Sequence, residues 1–104
     1  LILGGEIPDW RGIAETALTC QTYIDDQQVG SGGATTLPGG LRTAYAFALS
    51  RSAKRGRPLK AGDLIATGNA TGIHDIAVGQ RARISFNGYG DITCVAKPAG
   101  TEAA

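Results

Sequence analysis

The residues best suited to chemistry in this chain run Thr67-Gly68-Asn69-Ala70-Thr71-Gly72, with His74 and Asp75 close behind. A strand that ends in Thr-Gly frees backbone N–H groups beyond its ladder, and a glycine lets a ligand come close to the backbone. Thr67 adds a hydroxyl and Asn69 an amide. A carboxylate or enolate oxygen is a sensible guest for such a set. A flexible loop between strands accounts for the same glycines without any ligand. The stretch is not a Walker A loop, because the Gly-Lys-Ser/Thr ending is missing. His74 is the sole histidine, and its titration range suits acid or base work beside Asp75. The competing reading is a loop histidine facing solvent.

Other candidate chemistry has a plainer explanation. Most of the nine Asp and Glu residues fall at turns, where their side chains serve the backbone. Asp25-Asp26 reads as a solvated hairpin tip. No carboxylate or histidine cluster suggests a hard-cation site, and no serine sits in a nucleophile elbow. Cys20 and Cys94 have no metal spacing. Both lie in alternating segments and read as buried free thiols, with a bridge between them as the alternative. Trp10 and Tyr89 read as core filling or an interface contact. Arg51, Lys54, Arg55, Arg57 and Lys60 read as a solvated helix end and turn.

The elements that must position these residues are mostly strands. An apolar run at 1–3 is expected to be the end of a strand, and 7–14 a loop or single turn. Residues 16–24 alternate, with Leu18, Cys20, Thr22 and Ile24 on one face. Asp25-Asp26-Gln27 turns the chain, and 28–37 returns as a strand. Gly30, Gly32 and Gly33 mark a bulge or a close backbone approach in it. Leu41, Ala44, Tyr45, Ala48, Leu49 and Ser52 recur at helical spacing, so one main helix spans about 41–55, stopped by Gly56. After a turn at Lys60-Ala61-Gly62-Asp63, residues 64–67 form a strand and 68–79 a long loop. Residues 81–86 alternate, Asn87-Gly88 signals a hairpin, and 91–96 return. The expected class is α+β and β-rich. Residues 1–96 form one folded unit, followed by a flexible tail over 97–104.

The totals fit this picture. At 104 residues and 42% hydrophobic content the chain builds one domain with a small core. Its net charge of +1 gives no electrostatic case for nucleic acid or an anionic membrane. Nothing resembles a signal peptide or a membrane span, and a cytoplasmic location is expected. The chain opens Leu-Ile-Leu-Gly-Gly without Met, which suggests a fragment, a processed chain or a truncated form.

The segment Arg57-Pro58-Leu59-Lys60-Ala61-Gly62-Asp63, an apolar run, and then Thr67-Gly68 resembles the signature of the fumarylacetoacetate hydrolase superfamily, in its 2-keto-4-pentenoate hydratase branch. The resemblance extends from Leu3-Gly4-Gly5 to Val95 and includes Val78-Gly79-Gln80 and the Gly88-Tyr89-Gly90 hairpin. It implies a mixed β-roll with few helices and the C-terminal portion of a metal-dependent hydratase. Such a lyase adds water to a 2-hydroxy-2,4-dienoate or 2-oxo-4-enoate in the breakdown of aromatic compounds. Relatives cleave C–C bonds, decarboxylate or tautomerise acylpyruvate-like acids. The resemblance implies a divalent cation, Mg²⁺ or Mn²⁺, acting as a Lewis acid, with its carboxylate ligands and the catalytic Lys upstream of the matched region. It gives Thr67 and Gly68 the task of holding the substrate. Where hydrolase relatives often have Thr, this chain has Asn69, and where hydratases often have Leu-Gly-His-Pro it has Leu37-Pro38-Gly39-Gly40. Partners implied are a small 2-oxo acid and either further copies or a companion N-terminal chain. A non-catalytic β-module that associates through exposed strand edges is the alternative from another class.

Overall fold

A computed structural model describes residues 1–100. The described residues form an open four-stranded antiparallel sheet with one α-helix. The strands are β1 (Thr19–Ile24), β2 (Gln27–Gly33), β3 (Arg81–Phe86) and β4 (Gly90–Val95), in the order β2-β1-β3-β4. The helix is α1 (Leu41–Lys54). Single 3-10 turns occupy Trp10–Gly12, Glu15–Ala17 and Ala34–Thr36.

β1 forms where the alternation is cleanest, and it buries Cys20 and Thr22. It meets β2 through a two-residue turn with Asp25 and Asp26 at φ 49° and 64°. A tight hairpin demands positive φ at both positions, and Asp tolerates it through its short polar side chain. The tip is not loose. The Asp25 amide donates to the Arg81 carbonyl at 2.8 Å, and the Asp25 carboxylate accepts from the Arg81 amide at 2.9 Å. The expected bulge lies in β2. Thr22 pairs with Gly30 and Tyr23 with Gln28, so Val29 is the extra residue. β3 and β4 are joined through Gly88 at φ 84°, with the Tyr89 amide bonded to the Phe86 carbonyl at 2.8 Å.

α1 stops as its sequence suggests. Gly56 at φ 79° donates to the Ala53 carbonyl and Arg57 to Ser52, the paired bonds of a Schellman motif. Its start is different. Gly40 offers no side-chain cap, and Glu15 fills the role from a distant turn.

Three expected strands are corrected. Residues 1–3 join no ladder, and Leu1 is 97% exposed. Residues 64–67 join none either, and Leu64 is 62% exposed. An apolar run is a strand only where another backbone pairs with it. The return strand expected over 28–37 ends at Gly33. There the Thr36 hydroxyl accepts from the Gly33 amide at 3.0 Å and bends the chain into a 3-10 turn. The expected tail reaches beyond the described residues at 101–104, while 97–100 continue past β4 without strand or helix.

The core is thin. Cys20, Ala34, Leu37 and Ala82 are its buried apolar residues, with Thr22 beside them. α1 buries none of its side chains. No helix among the described residues is long and apolar enough to cross a membrane.

Candidate functional site

The Thr-Gly loop reaches the sheet because β2 is stripped of side chains where the loop crosses it. A Cβ on Gly30 would run into the Thr71 carbonyl and come within 2.6–2.7 Å of the His74 ring. A Cβ on Gly32 would meet the Ala70 carbonyl. Polar contacts finish the attachment. The buried Thr22 hydroxyl lies 2.7 Å from the Thr71 hydroxyl, which lies 3.3 Å from His74 Nε2.

This placement sets Thr67 on the wall of an apolar hollow of about 180 Å³. Leu18, Cys20, Ala34, Leu37 and Phe86 line it from the sheet side, and Ala70 from the loop. Gly68, at φ 128°, keeps the backbone close: a Cβ there would stand 3.4 Å from Leu37 Cδ2. Thr67 also borders two wider hollows, one against Leu41, Tyr45 and Trp10, the other against Phe47 and Ala48 of α1. Thr67 and Asn69 are exposed, so hydroxyl and amide are both open to a ligand.

His74 stands elsewhere. It is half-buried rather than solvent-facing, its Nε2 engages Thr71 rather than Asp75, and it does not line the apolar hollow. The loop therefore puts Thr67 and Ala70 on the wall of the hollow, leaves Gly68 and Asn69 exposed outside its lining, and sets His74 apart as an anchor. Trp10 and Tyr89 are not core residues, and each borders a hollow.

Both cysteines are free, Cys20 buried and Cys94 half-buried. They lie on β1 and β4 with β3 between. Two strand spacings of about 4.8 Å put them beyond the roughly 7 Å that a bridge allows, so the disulfide alternative falls. Burial pushes the Cys20 thiol above its ordinary range. The basic residues at the end of α1 are exposed, as a solvated helix end requires.

Sequence reasoning missed the capping role of Glu15 and the contact of Thr22 with Thr71, although Thr71 lay in the candidate loop. Glu15 gave one signal, a carboxylate upstream of a helix that begins at a glycine. Thr22 gave another, a hydroxyl on the apolar face of an alternating strand. Among the described residues, no three His, Cys, Asp or Glu stand together in a way that could hold a metal ion. In comparison with known proteins, the chain matches no protein-family model and no curated sequence.

Proposed function

We propose that the chain supplies the substrate-holding wall of a hydratase acting on small 2-oxo-4-enoic or 2-hydroxy-2,4-dienoic acids. The observation that carries this reading is the position of Thr67, an exposed residue on the wall of a largely apolar hollow. A short 2-oxo acid has matching parts. Its carboxylate accepts from the Thr67 hydroxyl and the Asn69 amide, Gly68 lets it approach the backbone, and its hydrocarbon end enters between Leu18, Leu37 and Phe86. The likeness of the Leu59-Lys60-Ala61-Gly62-Asp63 and Thr67-Gly68 segments to the 2-keto-4-pentenoate hydratase branch supports the same assignment.

In this reading the four-stranded sheet is part of a larger β-roll. The Mg²⁺ or Mn²⁺ of such enzymes does not fit the residues described here, since no three potential ligands converge. The chain's own part is to bind and orient the acid, with the cation's ligands in an upstream segment or companion chain. Hydration is the proposed reaction. Product analysis separates it from C–C cleavage and decarboxylation, which release a second fragment, and from tautomerisation, which adds no water.

The test is an amide NMR titration of the chain with 2-oxopent-4-enoate. Saturable shifts are expected at residues 67–70 and at Cys20. Thr67→Val should weaken binding by about tenfold, the worth of one hydrogen bond to a charged group. No shift at 67–70, or equal binding by the variant, sinks the reading.

A further inference from the structure

The tip of the β3–β4 hairpin is arranged so that the chain can react with itself. Asn87 and Gly88 are both exposed there. The amides on either side of Gly88 are held: Asn87 donates to the Thr19 carbonyl at 3.0 Å and Tyr89 to the Phe86 carbonyl at 2.8 Å. The Gly88 amide has no acceptor among the described residues, so nothing holds its proton. Gly88 also stands in open space, since a Cβ built on it would meet no atom within 4 Å. A backbone nitrogen that carries no side chain beside it can close on the side-chain amide of the preceding residue.

That side-chain amide is tied at one point. Asn87 Nδ2 donates to the Thr19 hydroxyl oxygen, at the first residue of β1. The tie holds the amide group in place while it lasts. Asn69 provides a comparison within the same chain. It is exposed as well, but Ala70 follows it, and the alanine methyl crowds the approach that Gly88 leaves open.

We infer that Asn87-Gly88 is a site of spontaneous deamidation and isoaspartate formation, with Thr19 as its brake. The Gly88 nitrogen gives its proton to hydroxide and attacks Asn87 Cγ. The new C–N bond closes a succinimide ring. The Cγ–Nδ2 bond breaks, and Nδ2 takes a proton from water and leaves as ammonia. Water then adds to either ring carbonyl. Opening at Cγ gives aspartate, and opening at the backbone carbonyl of residue 87 gives isoaspartate. Overall, water is consumed, ammonia is released and no oxidation state changes. Either product replaces the amide with a carboxylate, which takes the formal net charge from +1 to zero and leaves no donor for the Thr19 oxygen. The isoaspartate also adds a methylene to the backbone between Phe86 and Tyr89. Both of those residues line the hollow beside Thr67, so the modification reaches its wall. The inference holds whatever ligand that hollow takes.

Incubation of the folded chain at neutral pH, followed by peptide mapping, tests it. Trypsin cuts after Arg83 and releases a peptide in which Asn87 is the only side-chain amide. That peptide should gain the mass difference between a hydroxyl and an amino group and separate into aspartate and isoaspartate forms. The peptide with Asn69 should convert more slowly. Thr19→Val should speed conversion at Asn87 by about fivefold, the rate equivalent of one ordinary hydrogen bond. Thr19→Ser keeps the oxygen and should convert at the wild-type rate. In urea all three proteins should convert alike, because the tie is absent from the unfolded chain. A folded wild type whose Asn87 outlasts Asn69 overturns the site. Equal rates for folded wild type and Thr19→Val overturn the brake, as does a Thr19→Val chain in which both asparagines speed up by the same factor.

Discussion

Glu15 closes the N-terminus of α1 from another part of the chain: its carboxylate accepts the Arg42 amide at 2.7 Å, across a separation of 27 residues. The same carboxylate occupies the space that a Cβ on Gly40 would need. Gly40 is buried at φ 87°, so the capping position has no side chain of its own. Arg42 answers with a hydrogen bond from its guanidinium to the Arg11 carbonyl at 2.9 Å. A negative charge at the positive end of the helix dipole adds to the bond itself.

Removing this cap should therefore loosen the helix. Glu15→Ala is expected to lower stability by about 1 kcal/mol, the usual worth of an N-cap. Glu15→Gln keeps an acceptor but loses the charge, and should fall between wild type and Glu15→Ala. Urea denaturation followed by circular dichroism checks the ranking. Equal midpoints for all three proteins would remove Glu15 from the helix start.

Gly30 is the position where the sheet leaves room for the loop. Gly30→Ala should destabilise by about 2 kcal/mol, within the range for forcing extra volume into a packed contact. The added methyl meets both the His74 ring and the Thr71 carbonyl. A His74→Ala background should recover only part of the loss, because the carbonyl stays. Full recovery in the double variant would show that the ring alone sets the limit.

The two threonine hydroxyls are unequal partners. Thr22 is buried and its hydroxyl bonds to Thr71, while Thr71 is half-buried and also faces His74. Thr71→Val strands a buried hydroxyl and should cost about 1–3 kcal/mol. Thr22→Val leaves Thr71 with His74 and should cost less. In the double variant the losses should fall short of their sum, by about 1 kcal/mol. Strict additivity in denaturant melts would mean that the hydroxyls do not interact.

The Cys20 thiol sets an alkaline limit. Burial raises its pKa above the ordinary value of 9.0. The thiol is neutral when protonated, so above pH 9.0 the unfolded chain ionises while the folded chain still holds its proton. Stability from this group is whole below pH 9.0 and declines as pH rises through the folded value. Thermal melts at rising pH should show this slope in wild type and a flatter one in Cys20→Ala. At neutral pH the half-buried Cys94 should react with a thiol reagent ahead of Cys20. Equal slopes, or faster labelling of Cys20, contradict the burial described.

Much of the sheet was legible in the chain because two signals agreed. Alternation marked β1 and β3, while Asp25-Asp26 and Asn87-Gly88 marked the reversals between strands. Arg55-Gly56 likewise marked the end of α1. Residues 64–67 misled for a physical reason. Apolar residues record a preference for burial, whereas a strand also requires a neighbouring backbone, which sequence does not display. The Thr67-Gly68-Asn69 loop was visible as a local pattern, but the approach of Leu37 to Gly68 depends on chain thirty or so residues away. His74 was misplaced because its partner is Thr71 and its seat is Gly30, neither of them adjacent.

The Thr22–Thr71 contact also governs how the molecule opens. A loop held only by apolar contacts can lift and settle alone, but lifting this one leaves a hydroxyl unpaired inside the sheet. The Thr71 side of the loop and the middle of β1 therefore open as one cooperative unit. Movement of the loop at Thr71 thus reports the breathing of β1.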